Sequence, residues 1–109
     1  PTRWARNGSL LIHPQANSVS PDEKVSRRGR LNLYNAQFAR DHEPIDSACD
    51  CYTCRHCSRA YLHHLFHAKE LVVYRLATLH NLHFMSRLMQ SIREAIALGR
   101  FRELKAEYW

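Results

Sequence analysis

A chain of 109 residues suffices for one domain or part of one, and 45% hydrophobic residues exclude wholesale disorder. No apolar run approaches membrane-spanning length and no signal-peptide pattern opens the chain, so neither a membrane protein nor a secreted one is expected. Sixteen Lys and Arg against ten Asp and Glu give a net charge of +6, which points to a polyanionic partner.

The chain begins Pro1-Thr2-Arg3 without an initiating Met and offers only two short strand-like runs before its helices, the pattern of a piece of a longer protein. Asn7-Gly8 is a turn signal. Arg3 and Arg6, three apart ahead of it, are read on a bent loop that presents two guanidinium forks to phosphates or bases. Basic residues outnumber acidic ones before Asp41: Arg3, Arg6, Lys24, Arg27, Arg28, Arg30 and Arg40 face only Asp22 and Glu23. That end is the candidate nucleic-acid face; a merely solvated basic loop is the alternative.

Leu10-Leu11-Ile12-His13 is a strand candidate ending at Pro14. Residues 15–29 are polar and aperiodic, hence a loop. Arg30-Leu31-Asn32-Leu33 alternates polar and apolar as the return strand of a long hairpin. Asn35 caps a brief helix through Arg40. His42-Glu43-Pro44-Ile45-Asp46-Ser47 is turn chemistry.

The turn leads into Cys49-Asp50-Cys51-Tyr52-Thr53-Cys54, with Cys57 three residues on. Three thiols so close cannot all pair with one another, but they can converge on one Zn2+, which takes Cys and His ligands in a closed, structural site. His80 or Cys57 supplies the fourth ligand. A metal held within 49–57 alone would cross-link almost nothing. One tied to a remote helix couples binding to tertiary structure, at roughly 10–16 kcal/mol apparent for structural zinc. That argument favours His80. Cys57 otherwise reads as a small, half-buried apolar residue. Clustered cysteines among eight histidines suit reduced thiols and a metal in the cytoplasm better than a disulfide scaffold.

Ser58 caps a helix running to about Ala68, with Leu62, Leu65 and Phe66 as its apolar stripe and Tyr61 and His64 on an adjoining face. His63, His64 and His67 suit a solvent-facing or interface position better than metal ligation. Glu70 to Leu79 is a second helix, apolar nearly throughout and expected to be buried. His80-Asn81 is placed at a helix junction. From Leu82 the spacing Leu82, Met85, Leu88/Met89, Ile92, Ala95/Ile96 gives a third helix with core-filling methionines, ended by Gly99. Arg100 to Trp109 forms a last helix burying Phe101 and Leu104.

Taken in order, Pro1-Thr2-Arg3-Trp4-Ala5-Arg6-Asn7-Gly8, Leu31-Asn32-Leu33 with Asn35-Ala36, Pro44-Ile45-Asp46, and the Cys49, Cys51, Cys54 knuckle form one series. Ser58-Arg59-Ala60-Tyr61-Leu62, His80-Asn81 and Ile92-Arg93-Glu94-Ala95-Ile96 with Gly99-Arg100-Phe101 continue it. The series resembles the C-terminal part of the bacterial-type tRNA-guanine transglycosylases, or queuine tRNA-ribosyltransferases, over the whole chain except residues 9–29, where the loop is longer than in most members.

The resemblance implies an α/β fold: the C-terminal portion of a TIM (β/α)8 barrel with a zinc-binding subdomain, mainly α here with a short β-hairpin. It implies three segments: 1–48 as a tRNA-contacting loop and hairpin after the last barrel strand, 49–80 as the zinc subdomain, and 81–109 as helices packing on the barrel. The family exchanges guanine at the tRNA wobble position for a 7-deazaguanine, preQ1 or queuine, through an aspartate nucleophile and a second aspartate that handles the proton. Neither is on this chain. Arg3 and Arg6 match contacts to the tRNA anticodon loop. Cys49, Cys51, Cys54 and His80 match the zinc ligands. Tyr61 and His64 match a homodimer surface. A non-catalytic paralogue that keeps the zinc, or an independent zinc-binding RNA module, are the competing expectations.

Overall fold

The computed structural model describes residues 2–13, 26–27, 30–47 and 49–108. Along them run α1 (Thr2–Arg6), β1 (Ser9–Leu11), β2 (Ser26–Arg27), β3 (Arg30–Asn32), a 3-10 turn (Ala36–Phe38), α2 (Tyr52–His56), α3 (Arg59–Ala68), α4 (Leu71–Ala97) and α5 (Phe101–Tyr108). The chain is therefore mostly helical around a small antiparallel sheet.

Residues 2–6 form a short helix, not the bent loop expected, and an i, i+3 spacing sets Arg3 and Arg6 on neighbouring positions of its surface. Asn7 and Gly8 then turn the chain into β1. Gly8 sits at φ +81°, and a Cβ there would lie 2.5 Å from the Tyr34 ring. Both the backbone conformation and the close approach require glycine.

β1 pairs antiparallel with β3 in the register Ser9↔Asn32, Leu10↔Leu31, Leu11↔Arg30. Leu31 faces inward, as the alternation of residues 30–33 predicts, and so does its partner Leu10. Ser26–Arg27, expected in a loop, adds β2 to the other side of β3. The rest of the long loop lies outside the described residues, apart from His13 ahead of it. Asn35 does cap a turn, accepting from the Gln37 N–H, but that turn is 3-10 and spans only Ala36–Phe38.

The Ser58 hydroxyl accepts from the Tyr61 N–H at 3.1 Å and opens α3, whose Leu62, Leu65 and Phe66 enter the core. Arg59, on the first turn of α3, is fully buried. It donates to Asp41 Oδ2 at 3.0 Å and to the Ile45 carbonyl at 2.9 Å, holding the segment that leads into the cysteine knuckle.

The two helices expected on either side of His80-Asn81 are one: α4 runs unbroken through both. Val73, Leu76, Ala77, His80 and Asn81 are all buried, and their spacing of three and four marks a single helical face. No Pro or Gly interrupts the run. The expectation that 70–79 is buried all round does not hold either: Leu71 is 80% exposed, and Val72 and Leu79 also face outward. The apolar stripe expected beyond residue 82 holds in part: Ala95 is buried and Met85, Leu88 and Ile92 are half-buried, whereas Leu82, Met89 and Ile96 are exposed. Gly99, at φ +70°, ends the helix as read. Phe101 on α5 is exposed and Leu104 only half-buried. Burying a helix face needs a partner surface, and among the described residues five of the six buried positions of α4 fall in its first half, with Ala95 the exception.

Candidate metal centre and cationic groove

Local structure places the cysteines. The Cys49 N–H bonds the Asp46 carbonyl at 3.1 Å, turning the knuckle toward the core. Cys51 is the N-cap of α2, its sulfur accepting the Cys54 N–H at 3.3 Å. Cys54 lies on the first turn of α2 and faces the same way. Next to it, the Thr53 hydroxyl donates to the Leu76 carbonyl of α4 at 2.7 Å. Leu76 and His80 are one helical turn apart on the same face of α4, so seating Thr53 on the first brings Cys54 to the second.

The His80 Nδ1 atom lies 3.8, 3.4 and 3.2 Å from the sulfurs of Cys49, Cys51 and Cys54. All four ligand atoms fall within 4.8 Å of one another, the one such group among the described residues. A tetrahedral zinc with ordinary bond lengths sets its S···N edges at about 3.6 Å, the spacing seen here. The other ring nitrogen, Nε2, is 2.6 Å from the Leu11 carbonyl. A carbonyl can only accept, so Nε2 carries a hydrogen; in the neutral ring Nδ1 then turns its lone pair toward the sulfurs, the tautomer a metal needs.

Without metal the cluster holds its protons unevenly. Hydrogen bonds from Cys49, then Cys54, hold the Cys51 thiol far below its ordinary range. Hydrogen bonding to Cys49, then Cys51, pushes Cys54 up, so that thiol keeps its proton. For His80, burial is the largest influence and pulls downward. Hydrogen bonds to Cys49, Cys51 and the Leu11 carbonyl outweigh it and raise the ring to about 9. Three sulfurs and one imidazole, buried or nearly so, suit Zn2+ and leave no position for a substrate.

Cys57 lies outside the group. It is the C-cap of α2, its N–H on the Thr53 carbonyl at 2.8 Å, and packs half-buried against the core. Burial raises its thiol pKa. Among the described residues neither His63 nor His67 joins a metal cluster: their ring nitrogens lie 2.6 and 3.0 Å from the Leu33 and Tyr34 carbonyls. Tyr61 and His64 stand exposed one turn apart on α3.

Asn81, beside His80, accepts the Leu11 N–H at 2.9 Å and donates to the Ser9 carbonyl at 3.1 Å. Together the two side chains close the free edge of β1. Sequence reading missed this role, although a polar pair continuing a buried helical stripe was its visible signal. Through β1 and the Asn7-Gly8 turn the same contacts fix α1, which packs against α4. Between α1 and α4 opens a groove of about 680 Å3 lined by Thr2, Arg3, Arg6, Tyr74, Arg75, Thr78 and Leu79. Arg75 went unnoticed in the sequence, where it is the one charge in the run 71–79.

The sequence profile described as Queuine tRNA-ribosyltransferase matches residues 1–109, the entire chain. The chain belongs to the queuine tRNA-ribosyltransferase family. Among relatives carrying that name, the one from Dehalococcoides mccartyi (strain CBDB1) is 50% identical over 108 residues, covering 99% of this chain and 24% of the relative. The one from Moorella thermoacetica is 45% identical over 109 residues, covering 100% of this chain and 26% of the relative. The relative from Roseiflexus sp. (strain RS-1) is 46% identical over 108 residues, covering 99% and 24%. The chain thus spans about a quarter of the length of these family members. Among the described residues no helix is long and apolar enough to cross a membrane.

Proposed function

We propose that this chain is part of a tRNA-guanine transglycosylase, a cytoplasmic enzyme that exchanges guanine at the wobble position of a tRNA anticodon for a 7-deazaguanine. The observation that carries this reading is the family match along all 109 residues, and the name its relatives bear supplies tRNA and queuine. The catalytic aspartates lie outside these residues, in a TIM barrel on which the C-terminal helices pack. Exposed Leu82, Met89, Ile96 and Phe101 offer apolar surface for that packing.

In this reading segments 1–48, 49–80 and 81–109 serve as tRNA contact, zinc subdomain and barrel-packing helices. Cys49, Cys51, Cys54 and His80 bind one structural zinc, and the ion supplies architecture, not chemistry. Arg3 and Arg6 contact the anticodon loop. Tyr61 and His64, exposed on α3, lie in a homodimer interface.

The test is guanine exchange into tRNA by the full-length, zinc-loaded protein. Exchange is expected, with Arg3→Ala and Arg6→Ala raising KM for tRNA more than they lower kcat. A zinc-loaded protein that binds tRNA and exchanges no base would overturn the enzymatic reading in favour of a non-catalytic paralogue.

A further inference from the structure

The groove between α1 and α4 carries three guanidinium groups, not two. Arg3 and Arg6 enter it from α1, and Arg75 enters it from the first turns of α4. Among the described residues no acidic side chain lines it, and all three arginines are exposed. Among the described residues none of the three makes an ion pair, whereas Arg59 and Arg87 do. Three free cations around one concavity repel one another, an arrangement that an incoming polyanion relieves.

The wall between the arginines has a different character. Tyr74 and Leu79 give it an aromatic and an aliphatic face, and Thr78 adds a hydroxyl. A free phosphate would have no use for those surfaces. An unpaired nucleotide would use both parts, its phosphate on the guanidinium forks and its base or ribose against the ring and the aliphatic side chain.

Resting on the RNA-binding reading above, the geometry points to Arg75 as a third RNA-positioning residue: α4, not α1 alone, forms one wall of a single-stranded RNA site. Arg75 takes a phosphate next to the nucleotides that Arg3 and Arg6 hold. The groove therefore exists only when α1 and α4 are docked, and the β1-edge contacts of His80 and Asn81 secure that docking.

The experiment measures binding of an anticodon stem-loop RNA to the zinc-loaded full-length protein across a salt series, for wild type, Arg75→Ala, Arg75→Lys and Arg3→Ala. Zinc content and circular dichroism check the fold of each variant. One lost single-strand phosphate contact predicts about a fivefold weaker affinity for Arg75→Ala at 0.1 M salt and a log–log salt slope shallower by about 0.7. Arg75→Lys keeps the slope. Weaker binding with an unchanged slope would assign Arg75 a structural role and overturn the proposal. Unchanged affinity in Arg75→Ala, with loss in Arg3→Ala, would remove Arg75 from the site and leave the RNA-binding reading standing. Unchanged affinity in both would overturn the groove and that reading together.

Discussion

At the scale of single residues, the pair His80-Asn81 does two jobs from one place on α4. One ring nitrogen of His80 faces the sulfurs while the other holds the Leu11 carbonyl. The Asn81 amide satisfies Leu11 N–H and Ser9 carbonyl at once. Replacing it by Leu, of similar size, strands both backbone groups of a half-buried strand edge, at up to about 1–3 kcal/mol each. Asn81→Leu is expected to lower the urea midpoint accordingly, and an unchanged midpoint would mean that water takes over the edge. Asp41→Asn should also destabilise, by about 2–3 kcal/mol, because it removes a carboxylate charge paired with the buried Arg59 guanidinium.

The proton inventory of the cluster gives a pH dependence whose sign depends on the metal. In the metal-free protein the His80 ring titrates at about 9, above its ordinary 6.5. A raised pKa favours the fold when the ring is protonated, so this stabilisation is complete below pH 6.5 and is lost as pH rises through 9. Zinc needs the ring neutral and the thiols ionised, so metal affinity climbs over the same range. Melting temperatures with and without zinc should therefore diverge as pH increases from 6.5 to 9. Parallel curves would contradict the placement of His80 among the ligands.

At the scale of elements, α4 shows what sequence can and cannot declare. The buried positions 73, 76, 77, 80 and 81 keep helical spacing through the site, so the continuity of the helix was legible. Placing His80-Asn81 at a helix junction concealed it. The cysteine knuckle, the Ser58 cap, the Gly99 stop and the alternating burial around Leu31 follow from local chemistry and appear as read. What escaped were features that depend on partners distant in sequence. Burial of the guanidinium of Arg59 depends on Asp41 and Ile45, and Arg75 becomes part of a groove only when α1 lies beside it. Exposure of Met89 and Phe101 likewise depends on surfaces that no helical period specifies.

Two backbone positions give element-scale predictions. Lys69 closes α3 in the left-handed region at φ 57°, where a side chain costs about 1 kcal/mol. Lys69→Gly should therefore leave stability unchanged or raise it by up to about 1 kcal/mol. Gly8→Ala should destabilise by about 1–3 kcal/mol, from the left-handed backbone together with the clash against Tyr34. Equal stability of the Gly8→Ala variant and wild type would show that the turn relaxes.

At the scale of the whole molecule, the proposed zinc and the proposed RNA groove are parts of one arrangement. The knuckle seats α2 on α4, α4 closes the edge of β1, and β1 carries α1 into position through a turn that only glycine fits. Loss of the metal is expected to reach the groove by this route. The measurement that tests this most directly is elemental analysis of purified wild-type, His80→Ala and Cys57→Ser protein, each paired with RNA affinity. One zinc per chain is predicted for wild type and Cys57→Ser, with zinc and RNA affinity lost together in His80→Ala. A folded wild-type chain without zinc, or full zinc retention in His80→Ala with loss in Cys57→Ser, would contradict it.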